Sequence, residues 1–119
     1  LAGIISPTTI GVLASAKAIE DEGTKGKVQL TGLGLPSEMK QYILNGTCGQ
    51  MALWNPIDLG YTSTYILEAL VTGKATGKTG EVIKAGRMGE LKIGPDGLMV
   101  MGTPFVFNAS NIAKFAEMF

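Results

Sequence analysis

The chain has 119 residues, the size of one ordinary domain. Ten Lys and Arg balance ten Asp and Glu, so no field that would steer nucleic acid or an anionic membrane is implied. Histidine is absent and Cys48 is the single cysteine, which removes the usual general base, the serine–histidine triad, a disulfide framework and a cysteine-based zinc site. Hydrophobic residues make up 45%, enough for a packed core and too many for a disordered chain. The sequence opens Leu1-Ala2-Gly3-Ile4-Ile5, inside an apolar run without initiator Met or signal peptide, and is expected to be a piece of a longer protein.

Ala2-Gly3-Ile4-Ile5 reads as a buried strand closed by the turn signal Ser6-Pro7. From Thr8 to Glu22, apolar residues at Ile10, Leu13, Ala14, Ala16 and Ile19 share the segment with charges at Lys17, Glu20, Asp21 and Glu22. That spacing predicts an amphipathic helix with a Thr cap, stopped by Gly23. Lys27 to Leu33 is a second strand, and Pro36-Ser37-Glu38-Met39 opens a second helix that Asn45-Gly46 ends. Gln50 to Trp54 is a third strand, broken by Asn55-Pro56. Strands separated by such helices require parallel pairing with crossovers, so the fold class is α/β, a parallel sheet flanked by helices.

Ile57 to Thr72 predicts a third helix, apolar nearly all round, with only Asp58 and Glu68 charged. Such a helix expects partners on more than one side. Lys74 to Gly80 reads as a polar loop. Gly94-Pro95-Asp96-Gly97 then predicts a hairpin between Gly89–Ile93 and Leu98–Met101. Phe105-Val106-Phe107 is a last short strand, and a terminal helix carries Ile112, Phe115 and Met118 behind a cap at Asn108 or Ser110.

Gly73-Lys74-Ala75-Thr76-Gly77-Lys78-Thr79 imitates a phosphate-binding loop, but its first Gly is one residue too close and a helix precedes it, so a flexible surface loop is expected. Gly32-Leu33-Gly34 lacks the third Gly of a dinucleotide fingerprint, because Pro36-Ser37-Glu38 follows. Asn45-Gly46-Thr47 and Asn108-Ala109-Ser110 match the glycosylation pattern, yet helix stop and helix cap explain both Asn residues. Cys48 reads as a small strand-edge hydrophobe. The carboxylates show no inward pair suited to acid–base chemistry, and no metal site or cofactor is expected.

Ligands of open parallel sheets bind outside the carboxyl ends of the strands. Here those ends are Ser6-Pro7-Thr8-Thr9, Gly34-Leu35-Pro36 and Trp54-Asn55-Pro56. Small hydroxyls, helix N-termini and one aromatic face suit a neutral polyhydroxy ligand, and their convergence on one edge favours binding.

At these residues the sequence becomes familiar. Ile4-Ile5-Ser6-Pro7-Thr8-Thr9, Leu30 to Met39, Ala52 to Tyr61 and the tail Pro104 to Ile112 resemble, in order, the C-terminal part of periplasmic sugar-binding proteins of ABC importers, type I fold. The rhamnose-binding subgroup is the nearest match, with autoinducer-2-binding proteins related. The resemblance implies a two-lobed protein that traps a neutral sugar, a rhamnose-like deoxyhexose, and hands it to an ABC permease, outside the cytoplasm and without enzymatic chemistry. It implies that residues 1–53 belong to the second lobe, 54–56 to a hinge crossing, 57–73 to a helix of the first lobe, and 74–119 to a return segment with hairpin, short strand and terminal helix. It places ribose-type contacts at Thr8, Gly34 and Trp54, the Gly34 contact being through backbone. Autoinducer-type contacts would fall on backbone at Leu13 and Ser15.

In the resulting reading Trp54 stacks on the sugar face, Thr8 and Thr9 bond its hydroxyls, Gly34-Leu35 supply backbone groups, and Ser6, Pro7 and Asn55 complete the lining. Partners are the sugar and the permease, with no nucleic acid. In the chain alone the unpartnered helix is expected to find a substitute partner, by swapping into a domain-swapped homo-oligomer or by refolding against its own lobe. Two rivals are an autoinducer-2-type binding protein and the effector core of a sugar-responsive transcription regulator. The regulator would need a basic DNA-binding headpiece elsewhere in the gene. An α/β enzyme is disfavoured by the missing histidine and the unpaired carboxylates.

Overall fold

The structure is a computed structural model that describes residues 1–118. Phe119, the last residue of the expected return segment, lies outside them. The chain divides into two compact units, Leu1–Leu53 joined by the segment from Pro104 onward, and Trp54–Thr103.

In the first unit, β1 (Gly3–Ser6) pairs in parallel with β2 (Gln29–Gly32). A parallel bridge between Leu33 and Ala52 carries the sheet on to β3 (Met51–Leu53). The Thr31 hydroxyl adds a bond to the Gln50 carbonyl at 2.9 Å. Antiparallel to β3 lies the strand Phe105–Phe107, which the chain reaches only after completing the second unit. Between β1 and β2 runs α1 (Thr9–Asp21), and between β2 and β3 runs α2 (Pro36–Leu44). Both helices stop as their sequences dictate: Gly23 and Gly46, just past the C-caps Glu22 and Asn45, take φ of 61° and 82°.

The core of this unit joins Val12, Ala16 and Ile19 of α1 to Met39, Tyr42 and Ile43 of α2, over Leu30, Met51 and Leu53 of the sheet. The buried stripe of α1 therefore runs through positions 12, 16 and 19. Ile10, expected on the apolar face, stands in the first turn and is 81% exposed. Strand alternation sends Ile4 into the core and leaves Ile5 in the open. A short helix, Ile112–Phe115, closes the end of the core with Ile112 fully buried. Its Phe115 ring packs 4.9 Å from Phe105 and 5.4 Å from Phe107. The helix is shorter than expected: Asn108 holds Ser110 in a side-chain turn, Asn111 occupies the cap position, and Met118 is left exposed.

The second unit begins with α3 (Pro56–Val71). After it come β4 (Val82–Lys84), a 3-10 turn at Gly86–Met88, β5 (Glu90–Lys92), a second 3-10 turn at Pro95–Gly97, and an irregular stretch. With these ranges set, the strand Phe105–Phe107 is β6 and the helix Ile112–Phe115 is α4.

A hairpin is present, but its strands differ from the expected pair. β5 pairs antiparallel with β4, not with Leu98–Met101. The turn at Gly94–Gly97 does form, with Asp96 and Gly97 at φ of 58° and 74° and the Gly94 amide bonded to the Leu98 carbonyl at 2.7 Å. Beyond it Leu98 and Val100 are exposed, so pairing there would bury little. The β4–β5 register instead places Ile83 and Ile93 in one buried cluster with Ala69 of α3 and with Ala75. Burial of the branched residues decides the partner. On α3 itself only Thr62 and Ala69 are buried, while Ile57, Leu59, Leu67, Leu70 and Val71 remain exposed.

Candidate functional site

The carboxyl ends of β1, β2 and β3 lie side by side, because Ser6 is in register with Gly32 and Leu33 is bridged to Ala52. At the first end Ser6 is buried, and its hydroxyl donates to the Thr8 carbonyl at 3.4 Å. Thr8 is the N-cap of α1, its hydroxyl accepting the Gly11 amide at 3.0 Å. A side chain at position 11 would collide with both hydroxyls, so Gly11 is what lets them sit there. Accepting that amide leaves the Thr8 O–H proton free to donate outward. Pro7 is exposed and Thr9 half-buried beside it. The exposed Ile10 adds an apolar surface in the same turn, where sequence periodicity assigned it to the core.

The second end is more committed to the fold. Any side chain at Gly32 would strike the Ser6 carbonyl. The Leu33 amide donates to that carbonyl at 2.9 Å, and the Gly34 amide donates to Ala52 at 3.4 Å. Gly34 is buried, and a Cβ there would lie 2.7 Å from Met51 Sδ and 3.0 Å from both Met39 and Val12. Its lack of a side chain therefore lets β2, α1 and α2 close together, and its amide is spent on the sheet. Leu35 is the N-cap of α2 and its carbonyl takes the Met39 amide at 3.0 Å. The next residue, Pro36, supplies no donor, and Glu38 stands in the first turn, where a negative charge complements the helix dipole. Leu13 and Ser15 sit inside α1 past its first turn, where amides are engaged in the helix. Leu13 packs against the core.

Trp54 and Asn55 open the second unit. Trp54 is 42% exposed, a high value for so large an aromatic residue. Asn55 caps α3, its Oδ1 accepting the amides of Ile57 at 2.9 Å and Asp58 at 3.4 Å.

One cluster near the start of α3 escapes the sequence reading. Arg87 Nη2 donates to Asp58 Oδ1 at 2.5 Å, and the guanidinium stacks 3.9 Å from the centroid of Tyr61. The Tyr61 hydroxyl accepts the Arg87 amide and shares a 3.3 Å bond with Tyr65. The bond from Tyr65, then that from the Arg87 amide, lowers the Tyr61 pKa, while the same tyrosine pairing raises that of Tyr65. The spacing of Tyr61 and Tyr65 was visible as one helix face. Arg87 reaches them only through the intervening hairpin strand, which reads as loop.

Cys48 is fully buried, its thiol donating toward the carbonyls of Leu30 and Gln50 at 3.3 Å, and burial pushes its pKa up. That environment suits packing rather than reactivity. Among the described residues no group of three or more Cys, Asp or Glu side chains gathers as a metal site would require, and no helix is long and apolar enough to cross a membrane.

A model of the periplasmic binding protein domain matches residues 1–75. Among solved structures, a sugar ABC transporter protein from Actinomyces odontolyticus is 46% identical over 97% of this chain and 37% of its own, with a TM-score of 0.79. An ABC transporter solute-binding protein from Clostridium phytofermentas, solved with bound L-rhamnose, is 42% identical over 100% of this chain and 41% of its own, with a TM-score of 0.87. LsrB from Clostridium saccharobutylicum, in complex with AI-2, shares the fold at a TM-score of 0.81 with 21% identity, over 97% of this chain and 40% of its own. This chain thus spans about two-fifths of the length of the structures it matches.

Proposed function

Because the chain belongs to the periplasmic binding protein domain family, we propose that it is part of the solute-binding component of an ABC sugar importer, and that the intact protein takes a neutral, rhamnose-like deoxyhexose. The observation that carries this reading is 42% identity across the whole chain to a solute-binding protein solved with L-rhamnose. The likeness to the AI-2 complex rests on fold alone.

In this proposal residues 1–53 belong to one lobe, Trp54–Pro56 cross between lobes, and α3 starts the other. The Thr8 proton and the Thr9 hydroxyl bond sugar hydroxyls, with Ser6 and Pro7 shaping the pocket beside them. Trp54 stacks on the apolar face of the ring, as aromatic side chains suit. Leu35 contributes at the backbone level. Gly34 and Asn55, with Gly34 N–H and Asn55 Oδ1 already bonded inside the protein, act by shape and by fixing the turns. Leu13 and Ser15 stand behind the first turn and support it.

Ligand binds the closed form better than the open form and shifts the balance between them, with no covalent step. The closed, loaded protein then meets its permease outside the cytoplasm. For the chain alone, the exposed apolar residues of α3 favour pairing with a second copy.

Thermal unfolding of the full-length protein tests the ligand class. Its midpoint rises with L-rhamnose and responds less to pentoses and to autoinducer-2. A midpoint unmoved by every neutral sugar overturns the reading. A basic DNA-binding headpiece in the upstream sequence would instead favour a regulator.

A further inference from the structure

The loop that follows α3 holds an anion site that is already filled. Glu81 Oε2 accepts three consecutive backbone amides, from Thr76 at 2.8 Å, Gly77 at 2.9 Å and Lys78 at 3.3 Å. Its second oxygen accepts the Thr76 hydroxyl at 2.6 Å. Successive N–H groups turned toward one point form a nest, the concavity with which backbone elsewhere holds phosphate. Gly77 makes the turn possible with φ of 86°, a conformation that side-chain-bearing residues rarely adopt. The segment 73–79, which imitates a phosphate loop in sequence, therefore does cradle an anion, although a helix and not a strand precedes it.

The occupant is tethered. The Glu81 carbonyl accepts the Ile93 amide at 2.8 Å, and the Gly80 amide donates to the Ile93 carbonyl at 2.7 Å, so the backbone beside the carboxylate is fixed to the buried end of β5. On the other side of the loop the Ala75 amide is bonded to the Ala69 carbonyl at 3.0 Å, at the end of α3. Both rims of the nest are thus anchored independently of the carboxylate. The four donors also hold the Glu81 carboxyl below the usual carboxylate range, the Thr76 hydroxyl first among them.

We propose that residues 76–78 form a pre-shaped oxyanion nest whose resident anion is the Glu81 carboxylate, so that the native loop is closed to free phosphate and a Glu81→Ala variant takes inorganic phosphate in its place. The device makes the joint between α3 and the β4–β5 hairpin independent of any dissolved anion.

Backbone amide NMR of the intact chain tests it. In the native protein the amides of Thr76, Gly77 and Lys78 are protected and unmoved by 50 mM-scale phosphate, a concentration on the order of a weak anion site's needs. In E81A their exchange rises about tenfold, as loss of a charge-assisted bond implies. Added phosphate then restores protection and shifts these amides saturably, whereas chloride at equal ionic strength does not. Methyl signals of Ile83 and Ile93 report whether the variant keeps its fold. If it does not, Glu81→Ser, whose shorter side chain also empties the nest, takes its place in the same titration. Three results overturn the proposal: E81A amides as protected as native, no response of the folded variant to phosphate, or an equal response of native and variant.

Discussion

Gly34 and Thr8 show what the strand-end edge demands of single residues. A methyl at Gly34 would meet Met51, Met39 and Val12 at 3.0 Å or less. Overpacking of this kind typically costs about 1–3 kcal/mol. Gly34→Ala is therefore expected to lower the urea midpoint with an unchanged denaturant slope. Thr8 works in two directions, capping Gly11 while its proton stays free. Thr8→Val loses the cap, about 1 kcal/mol, together with sugar affinity. Thr8→Ser keeps both, because the hydroxyl remains. In the proposed site Trp54 would contribute mainly a stacking face, worth roughly 0.5–1.5 kcal/mol in aromatic contacts. Trp54→Ala in the full-length protein is expected to weaken L-rhamnose binding up to about tenfold while leaving the unfolding midpoint nearly unchanged. A variant that stays folded and binds L-rhamnose as the native protein does would remove Trp54 from the site.

Elements carry the next level of control. The end of α1 is tied to the turn after α2 by Glu20, whose Oε1 accepts the Thr47 hydroxyl and the Asn45 amide group, each at 2.7 Å. The Thr47 bond first, and then the Asn45 bond, lowers the Glu20 pKa below its unfolded value. A depressed carboxyl adds stability above the unfolded carboxylate range, and that contribution is lost as pH falls through the folded pKa. Urea midpoints measured down the acid limb are expected to fall less steeply in Glu20→Gln than in the native chain. Equal acid slopes would show that the cluster does not bind its proton differently in the two states.

The helices were legible because their signals are local: Thr8, Asn55-Pro56, Gly23 and Gly46 sit within a residue or two of the boundaries they set. The partner of β5 was not. Glu81-Val82-Ile83-Lys84 alternates for only four residues after a Gly/Thr/Lys stretch, and the stronger turn signal at Gly94–Gly97 pointed the other way. The strand ends that carry the candidate residues were legible, but the bonds those residues make were not. That Gly34 spends its amide on Ala52, or that Asn55 spends Oδ1 on the α3 cap, depends on atoms brought together by the folded chain.

At the scale of the molecule, the first unit is discontinuous in sequence, since β6 and α4 return to it after the second unit is complete. The neutral-sugar reading is tested most directly by isothermal titration of the full-length protein with L-rhamnose, set against the Thr8→Val and Trp54→Ala variants. The expected result is saturable one-to-one binding of L-rhamnose, weakened in both variants and absent for charged sugars. No saturable heat with any neutral sugar, in a folded native protein, would contradict it.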